Sequence, residues 1–526
     1  MAVVCNILTI QTPNRMYSVL ILNSNSMKRK ISLYIGITSL FVGLSGCTSY
    51  VENINVDPDN LTDIDSKNLF QGVLLADQFF HTSSVARDAM IWMNMANGEN
   101  RQYVALNNWN NTTASEFDDS WNTAYVNCIT QAKLAQEKAD QEVNPRLKGA
   151  MQVVEAHCMG TVTSLWGDVP YSEVDIHSKN LSPKYDSQAS IYARLQILLD
   201  NAITNLNSQI GAGIPMPKGQ NDPPVDIFFK GDYGKWIKLA YSLKARYYLH
   251  VKNYPLAKQN ALLGMSSATE DLNAQFGNSS YQDFNPYYSF LVYDRDDYMS
   301  GDSYAARLLD SNEALYRGNA KTNEAARFAY NYQFGSDYFS ETYMLNIFGG
   351  DYGSYNGKFG SDTNMPLVTY GEMLLIIAES DARTSFSDGL ASYNSYRNLI
   401  NSGYSIGIGN IGYSEGFPDD ASYAFSYDAY DSTDFDAGGI ENNTTNVLTN
   451  QGALLREIMQ ERYVYFIGSF EAFTDFGRTN NQAEIQLKTG FTGTPQRFIY
   501  PQVEINGNPN TPSPLPSITT KTPVHN

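Results

Sequence analysis

Cysteine and histidine are scarce in this chain of 526 residues, which holds four cysteines and five histidines. None of them occurs in the paired spacing of a structural zinc site, so the sequence predicts no zinc-stabilised fold. Cys128 and Cys158 fall on the apolar faces of predicted helices. We interpret them as buried small hydrophobes, and a disulfide between them is the alternative that the sequence leaves open.

Long apolar runs and an excess of basic residues are lacking as well. After Cys47, no apolar run approaches the roughly 20 residues of a membrane-spanning helix. The chain carries 36 basic against 55 acidic residues, a net charge of −19. Such a charge repels phosphate backbones and anionic lipid, so nucleic acid is excluded as a partner and membrane contact is predicted through a lipid anchor only.

Catalytic signatures are also missing. There is no nucleophile elbow, no phosphate-binding loop and no metal-binding motif, so the sequence predicts a protein that is not an enzyme. A glycoside hydrolase needs only two carboxylates at a set separation, and 55 acidic residues will always offer such a pair. A surface glycoside hydrolase is therefore the less favoured alternative.

Among the features that are present, the first along the chain is an export signal. Basic residues at 27–30 are followed by an apolar run from Ile31 to Leu44 and then by Leu44-Ser45-Gly46-Cys47. This pattern is typical of a bacterial lipoprotein signal peptide, with Met27 as the expected start and Cys47 as the lipidated N-terminus. Loss of residues 1–46 removes four basic residues and no acidic one, which takes the net charge from −19 to −23. Two or three acyl chains would hold the protein stably on a membrane.

Beyond a polar tether over residues 47–65, apolar residues recur at helical spacing. Short connections join consecutive amphipathic segments, a pattern typical of tetratricopeptide-like helix pairs, although no 34-residue repeat is visible. The predicted helices of this first part cover residues 66–93, 117–139, 145–166, 188–207, 232–251 and 255–264.

The rest of the chain alternates between helical and irregular character. The sequence predicts one domain over residues 66–526, in which a helical array and an irregular, tyrosine-rich lobe are interleaved. The array is predicted over 66–267, 366–400 and 446–478. The lobe is predicted over 268–365 and 402–445, with one short helix near 303–317. An extended, proline-rich tail is predicted over 479–526.

Four ordered motifs resemble those of the SusD/RagB family of outer-membrane lipoproteins. They span most of the chain after the lipobox and occur in the family's order. They are Ser164-Leu-Trp-Gly-Asp-Val-Pro-Tyr-Ser-Glu173, Met365-Pro-Leu-Val-Thr-Tyr-Gly-Glu-Met-Leu-Leu-Ile-Ile-Ala-Glu379, Ile458-Met-Gln-Glu-Arg-Tyr-Val-Tyr-Phe466 with Glu471-Ala-Phe-Thr-Asp-Phe-Gly-Arg-Thr479, and Arg497-Phe-Ile-Tyr-Pro501 with Glu504 and Asn508.

The resemblance implies an all-α dominated fold, a right-handed superhelix of tetratricopeptide-like helix pairs with a loop-rich lobe that binds nutrient. It also implies a location on the outer membrane, facing the cell exterior, and a partner, a SusC-like TonB-dependent transporter on which the lipoprotein sits as a lid. The expected cargo is an oligosaccharide, and a peptide is the alternative.

Two regions are predicted to contact the ligand. The loop after the first helix carries Trp109 together with amide and guanidinium side chains, and in starch-binding relatives this loop supplies a stacking tryptophan. The alternative for Trp109 is packing on the body of the protein. The other candidates in this loop are Arg101, Asn107, Asn108 and Asn110.

The second region is the irregular lobe, where aromatic rings could stack on sugar rings and carboxylates could bind hydroxyl groups. Its candidates are Tyr287, Tyr288, Tyr293, Asp294, Arg295, Tyr352 and Tyr355. No cofactor is predicted. The acidic runs 294–297 and 431–436 offer oxygen ligands of the kind calcium prefers, but neither has the spacing of an EF-hand loop.

The carboxylates of the family motifs are predicted to be structural. Glu372 and Glu379 share one predicted helix, and Glu461 with Arg462 lies on another. Because family members bind ligands and are not hydrolases, we expect these residues to form salt bridges between helices and to cap loops.

Overall fold

The computed structural model describes residues 65–526, apart from 175, 178–179, 217–223, 280–282, 338–339, 348–356, 407–423 and 444–445. The lipidation site Cys47, nearly all of the tether, and two predicted ligand residues, Tyr352 and Tyr355, lie outside the described residues. Within them, no helix combines the length and the apolar character that a membrane span requires.

Helices dominate the first two hundred described residues, as the periodicity predicts. Each long helix begins at a polar cap: Asp65, Asn144, Ser187 and Asp232 accept hydrogen bonds from backbone amides of the first turn. The helices are α1 (Ser66–Thr82), α2 (Ser84–Trp92), α3 (Gln102–Asn107), α4 (Asp118–Asn122), α5 (Thr130–Gln141), α6 (Pro145–Trp166), α7 (Gln188–Leu206), α8 (Tyr233–His250) and α9 (Tyr254–Ala261).

Two predicted helices are interrupted. The helix predicted over 66–93 breaks at Ser83, whose backbone leaves the helical region at φ −101° and ψ −132°. The helix predicted over 117–139 contains a π-helical segment, Thr123–Ile129, between α4 and α5. Apolar spacing alone did not reveal either change, because the buried face continues across both of them.

The interpretation of Cys128 and Cys158 as unbonded hydrophobes is wrong. Both are fully buried, as expected, but a disulfide joins them. The π-helical segment carries Cys128 to within 6.8 Å, Cα to Cα, of Cys158 on α6. Disulfides persist in oxidising compartments, so this bond agrees with the export that the signal peptide predicts.

The lobe after α9 is built from short helices and two-stranded antiparallel sheets. Its helices are α10 (Pro286–Ser289), α11 (Tyr304–Leu309) and α12 (Ala325–Asn331). The short strands of the chain are β1 (Asn97–Gly98), β2 (Val169–Pro170), β3 (Tyr185–Asp186), β4 (Leu272–Ala274), β5 (Met299–Ser300), β6 (Thr322–Asn323), β9 (Met365–Val368) and β10 (Ser426–Tyr427), and they pair as β1–β5, β2–β3, β4–β9 and β6–β10.

One hairpin in the lobe was not predicted. Strand β7 (Tyr332–Asp337) pairs with β8 (Ser340–Leu345) over six residue pairs. The buried rings of Tyr332 and Tyr343 and the buried side chain of Leu345 anchor this hairpin to the body. Its tyrosines and phenylalanine are typical of strands, but the flanking glycine- and aspartate-rich stretches masked that preference in the sequence.

The helical array resumes after β9, and buried ion pairs join its helices to the earlier ones. The remaining helices are α13 (Tyr370–Ala382), α14 (Phe386–Ile400), α15 (Asn450–Tyr465), α16 (Glu471–Thr479) and α17 (Gln502–Gly507). Arg246 of α8 binds Glu372 of α13 through Nε to Oε1 at 2.7 Å, and its Nη1 lies 3.4 Å from Glu471 of α16. The prediction that Glu372 is structural is confirmed.

Two further charge clusters hold α15 in place. Arg478 of α16 binds both carboxylate oxygens of Glu379, at 2.6 and 2.8 Å, and also binds Asp475, which in turn binds Arg462. In the second cluster, the buried carboxylate of Glu461 lies between two arginines, Arg317 at 2.8 Å and Arg327 at 2.7 Å. Bidentate pairing of this kind compensates charges that burial alone would penalise heavily.

The predicted tail is part of the core. Phe498 is fully buried and packs against Trp92 and Trp166, each with ring centroids 5.1 Å apart. Gly167, at φ +85°, ends α6, and Tyr500 donates a hydrogen bond to the carbonyl of Asp168 in the turn that follows. The Gly-Asp-Val-Pro motif is therefore the point at which the C-terminal segment is fastened to the helices.

Candidate ligand-binding clefts

Helix α1 presents an exposed apolar stripe beside its buried one. Leu75 and Phe79 are 49% and 53% exposed, one turn apart on the helix. They face the lobe across an open space. Gln78 of α1 spans the two sides, because its amide exchanges two hydrogen bonds of 2.9 Å with the backbone of Gln275.

The space between these walls is a cleft of about 550 Å³, which we call the aromatic cleft. Its lobe side is shaped by Asn285, which caps α10 through the amide of Tyr287 and donates to the carbonyl of Thr363. Its lining residues are Leu75, Gln78, Phe79, Ser83, Arg87, Gln275, Phe276, Gly277, Asp283, Phe284, Pro286, Ser289, Phe290 and Asp294.

A second cleft of about 640 Å³ adjoins the first, and we call it the acidic cleft. Carboxylates and amides predominate in it. Its lining residues are Phe79, Ser83, Ser84, Arg87, Asp88, Gln102, Tyr103, Leu106, Glu116, Asp119, Asn122, Thr123, Asn127, Phe290, Asp294 and Arg295.

Arg87 stands where the two clefts meet. It lines both of them, as do Phe79 and Phe290. Its guanidinium carbon lies 4.4 Å from the ring centroid of Phe290, and its Nε donates to the hydroxyl of Tyr103 at 3.2 Å. These contacts hold a cation and two rings in a fixed arrangement, which is the combination of apolar faces and polar groups that small-molecule sites use.

Both π-helical segments among the described residues border the acidic cleft. Thr123–Ile129 contributes Thr123 and Asn127, and Phe290–Asp294 contributes its first and last residues. A π turn adds one residue to a helical turn at a cost in stability, and such turns occur frequently at functional sites. Here both turns contribute lining residues to the same cleft.

Asp88 is the unusual residue of the acidic cleft. Its side chain is 3% exposed, and no hydrogen bond from any described residue reaches its carboxylate. Burial raises its pKa to about 8; the charge of Arg87 opposes this rise and that of Glu116 adds to it. Burial also raises the pKa of Glu116. The cleft therefore contains acidic groups that hold their protons more tightly than ordinary carboxylates do.

The loop residues predicted to bind ligand lie outside both cleft linings. Trp109 is 2% exposed, packs edge-on against Phe491, and donates from Nε1 to the carbonyl of Thr492 at 3.3 Å. It packs on the body, which is the alternative that the sequence left open. Asn107 donates to the side chain of Asn97 at 2.7 Å.

The other predicted residues of this loop shape the backbone. Asn108 caps a short 3-10 turn by accepting from the amide of Asn110, which is itself exposed. Arg101 is exposed and has a left-handed backbone at φ 49°. Its guanidinium carbon lies 6.0 Å from the ring centroid of Tyr298. A ligand role for these residues stays a prediction.

The predicted lobe residues divide between core and cleft. Tyr287 is fully buried, and its hydroxyl lies within hydrogen-bond distance of two acceptors, the sulfur of Met90 and the carbonyl of Gly468. Tyr293 is 58% exposed and stacks on Phe284, a residue of the aromatic cleft. Asp294 lines both clefts.

Two further lobe candidates border the same region. Arg295 lines the acidic cleft. Tyr288 makes an edge contact with Phe284, with centroids 5.3 Å apart. Asp294 and Arg295 are thus the lobe candidates that line a cleft, and a ligand role for them stays a prediction.

Most of the cleft was missed because it lies on helices and not on loops. Two signals were present in the sequence. Leu75 and Phe79 are large apolar residues that fall off the buried stripe of α1, and Arg87-Asp88 is a charged pair inside an otherwise apolar run. Exposed apolar residues that form a stripe, and charges within an apolar helix, both indicate a binding surface.

The two acidic runs considered as calcium sites differ in the protein groups that bind their carboxylates. Asp431 and Asp434 form a capping box, and both bind the ammonium group of Lys321, at 2.9 and 2.6 Å. The carboxylates of Asp431 and Asp434 are thus already bound by protein groups. In the other run, Asp297 accepts a hydrogen bond from Asn100 at 3.0 Å.

A buried group of metal-ligating residue types occurs elsewhere, at Asp77, His81 and His157. The two imidazole rings stack face to face, with centroids 3.8 Å apart and planes 5° from parallel. Both ring nitrogens of His81 already bind protein groups, the carbonyl of Asp77 and the hydroxyl of Thr161, each at 2.8 Å, and Nδ1 of His157 binds the carboxylate of Asp77 at 3.0 Å. The rings and the carboxylate therefore form a hydrogen-bonded cluster within the core.

The overall architecture is similar to several solved structures. A SusD/RagB family protein from Bacteroides thetaiotaomicron is 20% identical, with a TM-score of 0.58 over 85% of this chain and 95% of that one. A SusD homolog from Bacteroides uniformis is 16% identical, with a TM-score of 0.59 over 87% and 99%. A chitin-binding protein is 17% identical, with a TM-score of 0.54 over 85% and 95%. At these identities the likeness shows the fold alone.

A comparison with curated proteins gave no match. A family model described as starch-binding and associating with the outer membrane matches residues 59–501, which is most of the chain. The match and the shared helix-dominated architecture agree with the four motifs. The chain therefore belongs to the SusD-like family of nutrient-binding outer-membrane proteins.

Proposed function

We propose that this protein captures an oligosaccharide at the cell surface, without catalysis, in the adjoining aromatic and acidic clefts. The observation that carries the proposal is the convergence of the exposed ring of Phe79 and the half-buried rings of Phe276 and Phe284 with carboxylate and amide groups in one open groove. Ring faces suit the C–H groups of a sugar, and the amide and carboxyl groups suit its hydroxyls. The family relationship and the fold of a chitin-binding protein support a glycan over a peptide.

The expected affinity is low. Each well-aligned ring contact is worth on the order of 1 kcal/mol, and a groove open to solvent offers two or three of them. Together with hydrogen bonds to the sugar hydroxyls, these ring contacts are expected to give a dissociation constant in the micromolar-to-millimolar range. Weak binding suits a capture protein, because tethering above a transporter raises the effective concentration of the ligand while allowing release.

The proposed acceptor is a SusC-like TonB-dependent transporter, on which the protein sits as a lid anchored through lipidated Cys47. The polar tether over residues 47–65 is proposed as the leash of this lid. Shortening the tether within residues 48–65 should impair nutrient uptake in cells and leave ligand binding by the purified protein unchanged. Equal loss of both, or of neither, would contradict the lid arrangement.

The binding site itself is tested by removing one exposed ring. Phe79→Ala should weaken binding of the best-bound member of a panel of neutral oligosaccharides about fivefold, as expected for loss of one ring contact, measured by calorimetry. Phe334→Ala is a matched control, since Phe334 is 51% exposed on β7 and lines neither cleft. Equal affinities for the two variants would place the ligand elsewhere.

A surface glycoside hydrolase is the competing function. The buried carboxylates that the motifs supply are bound to arginines, and this favours a structural role for them. Incubation of the purified protein with the same glycan panel should therefore give no shortened products. Turnover that is lost on substitution of one cleft carboxylate would replace the proposal with catalysis.

A further inference from the structure

We infer that the acidic cleft selects oligosaccharides that carry an ammonium group, such as amino-sugar oligomers with unacetylated amines, with Asp88 as the anionic partner of that group. The inference rests on the proposed glycan capture and narrows its substrate class.

The first observation is the isolation of Asp88. In the described part of the chain, every other buried carboxylate has a hydrogen-bond or ion-pair partner. Asp88 is equally buried, has no such partner, and borders an open cleft. A buried carboxyl group without a partner is costly, and folded proteins keep few of them. A ligand that enters the cleft and binds this group would remove the cost.

The second observation is the charge of the cleft. Four carboxyl groups line it, and two guanidinium groups oppose them. One guanidinium, that of Arg87, already contacts Tyr103 and the ring of Phe290. Even when Asp88 is protonated, three carboxyl groups stand against two guanidinium groups, so the potential favours a cation over uronic acids or sulfated sugars.

The third observation is that the other lining groups suit a sugar. Gln102, Asn122 and Asn127 are exposed on three different segments and face the same space. Their amides both donate and accept, as recognition of hydroxyl groups requires. Phe79 offers an exposed apolar ring to the same cleft, and the mostly buried Phe290 borders it. An amino sugar combines the hydroxyl, apolar and cationic features that these groups would bind.

Protonation provides an independent signature. Burial raises the pKa of Asp88 to about 8, so the group is largely protonated at pH 6 when no ligand is bound. The charged groups that face it are Arg87 on its own helix, Glu116 and Asp119 from the segment around α4, and Asp294 and Arg295 from the lobe. Since an ammonium ion favours the ionised carboxylate, its binding should release a proton from Asp88.

The test compares three tetrasaccharides of equal length with the full mature chain, by calorimetry at about pH 6. The probes are glucosamine tetramer, N-acetylglucosamine tetramer and galacturonic acid tetramer. We expect the glucosamine tetramer to bind at least about tenfold more tightly than the acetylated one, and the acidic one to bind least. Titrations in two buffers of different ionisation enthalpy should show proton release for the glucosamine tetramer only.

Asp88→Asn should abolish both the tenfold preference and the proton release. Asp119→Asn is the matched control, because Asp119 is an exposed carboxylate on the same cleft, and it should retain both. Equal binding of the amine and acetylated probes by the unmodified protein, or proton release that persists in Asp88→Asn, would overturn the assignment and leave glycan capture standing. Failure of all three probes, together with a neutral panel, would overturn the proposed function as well.

Discussion

Two regions of the described structure differ in how their buried carboxylates are paired. Between the helices of the array, Glu379 accepts two hydrogen bonds from Arg478, and Glu471 lies between Arg246 and His250. In the acidic cleft, Asp88 is just as buried but has no partner among the described residues.

This difference in pairing distinguishes carboxylates that stabilise the fold from a carboxyl group that is available to a ligand. Inside the array, Glu379 and Arg478 come from different helices, as do Glu471 and Arg246, so each of these two pairs fixes how its helices pack together. At the acidic cleft, the carboxyl group of Asp88 has no hydrogen-bond partner among the described residues and lies beside open space. A ligand that enters the cleft can supply that partner. The acids of the family motifs are therefore the structural ones, and the acids of the cleft carry no motif at all.

The largest expected effect comes from breaking the structural group. Arg478→Ala would leave Glu379 and Asp475 buried with fewer partners, and loss of one member of a buried pair costs about 3–5 kcal/mol. Urea unfolding followed by circular dichroism should show this loss. Arg383→Ala is the control, since Arg383 also binds Glu379 but is partly exposed, and it should cost about 1 kcal/mol or less. Equal costs would mean that burial of the pair does not matter.

The next effect is a loss of stability in acid that depends on Glu471. Burial alone would raise the pKa of this carboxyl, but Arg246 and His250 outweigh it and lower the pKa to about 2. A lowered pKa contributes stability above the ordinary value near 4.5, and this contribution is lost as the pH falls toward 2. The free energy of unfolding should therefore fall by on the order of a few kcal/mol across that window. Glu471→Gln should flatten this part of the pH profile, and an unchanged profile would contradict the assignment.

The ionisation of Asp88 should change the free energy of unfolding with pH in the opposite direction to that of Glu471. Because the folded state raises its pKa from about 3.8 to about 8, the folded protein binds the proton more tightly than the unfolded chain does. Its contribution to stability therefore decreases as the pH rises from about 4 to about 8, by at most about 1.4 kcal/mol per pH unit. Asp88→Asn should be more stable than the unmodified protein at pH 8, with a difference that shrinks toward pH 4. A constant difference would show that Asp88 is ionised normally.

The smallest of these effects is the change in affinity of Phe79→Ala relative to Phe334→Ala, because one ring contact contributes little by itself. The Phe79→Ala substitution nevertheless distinguishes the binding cleft from the structural array most directly. The substitution should alter ligand binding while leaving the unfolding midpoint close to that of the control variant.

Much of the fold could be predicted from the sequence. The helical spacing and the four motifs identified the array, since amphipathic stripes and capping residues act locally. Arg478 and Glu379 belong to two of those motifs, and their pairing confirms the structural interpretation. The disulfide between Cys128 and Cys158 could not be predicted from spacing, because it depends on a π-helical turn that the apolar pattern does not reveal.

The cleft was harder to predict for a related reason. The aromatic residues of the predicted loops indicated Trp109 and Tyr287. The ring of Trp109 is buried against Phe491, and Tyr287 lies in the core. The cleft instead depends on which exposed residues of α1 and α2 face the lobe. That relation arises from tertiary packing, so a single sequence does not contain it directly.

The most direct test of the account is a crystal structure with the best-bound of the three tetrasaccharides. We predict that the ligand lies in the adjoining clefts, against the exposed ring of Phe79, with one of its polar groups within hydrogen-bond distance of the Asp88 carboxylate. A ligand bound instead at the Trp109 loop, with both clefts empty, would contradict the account.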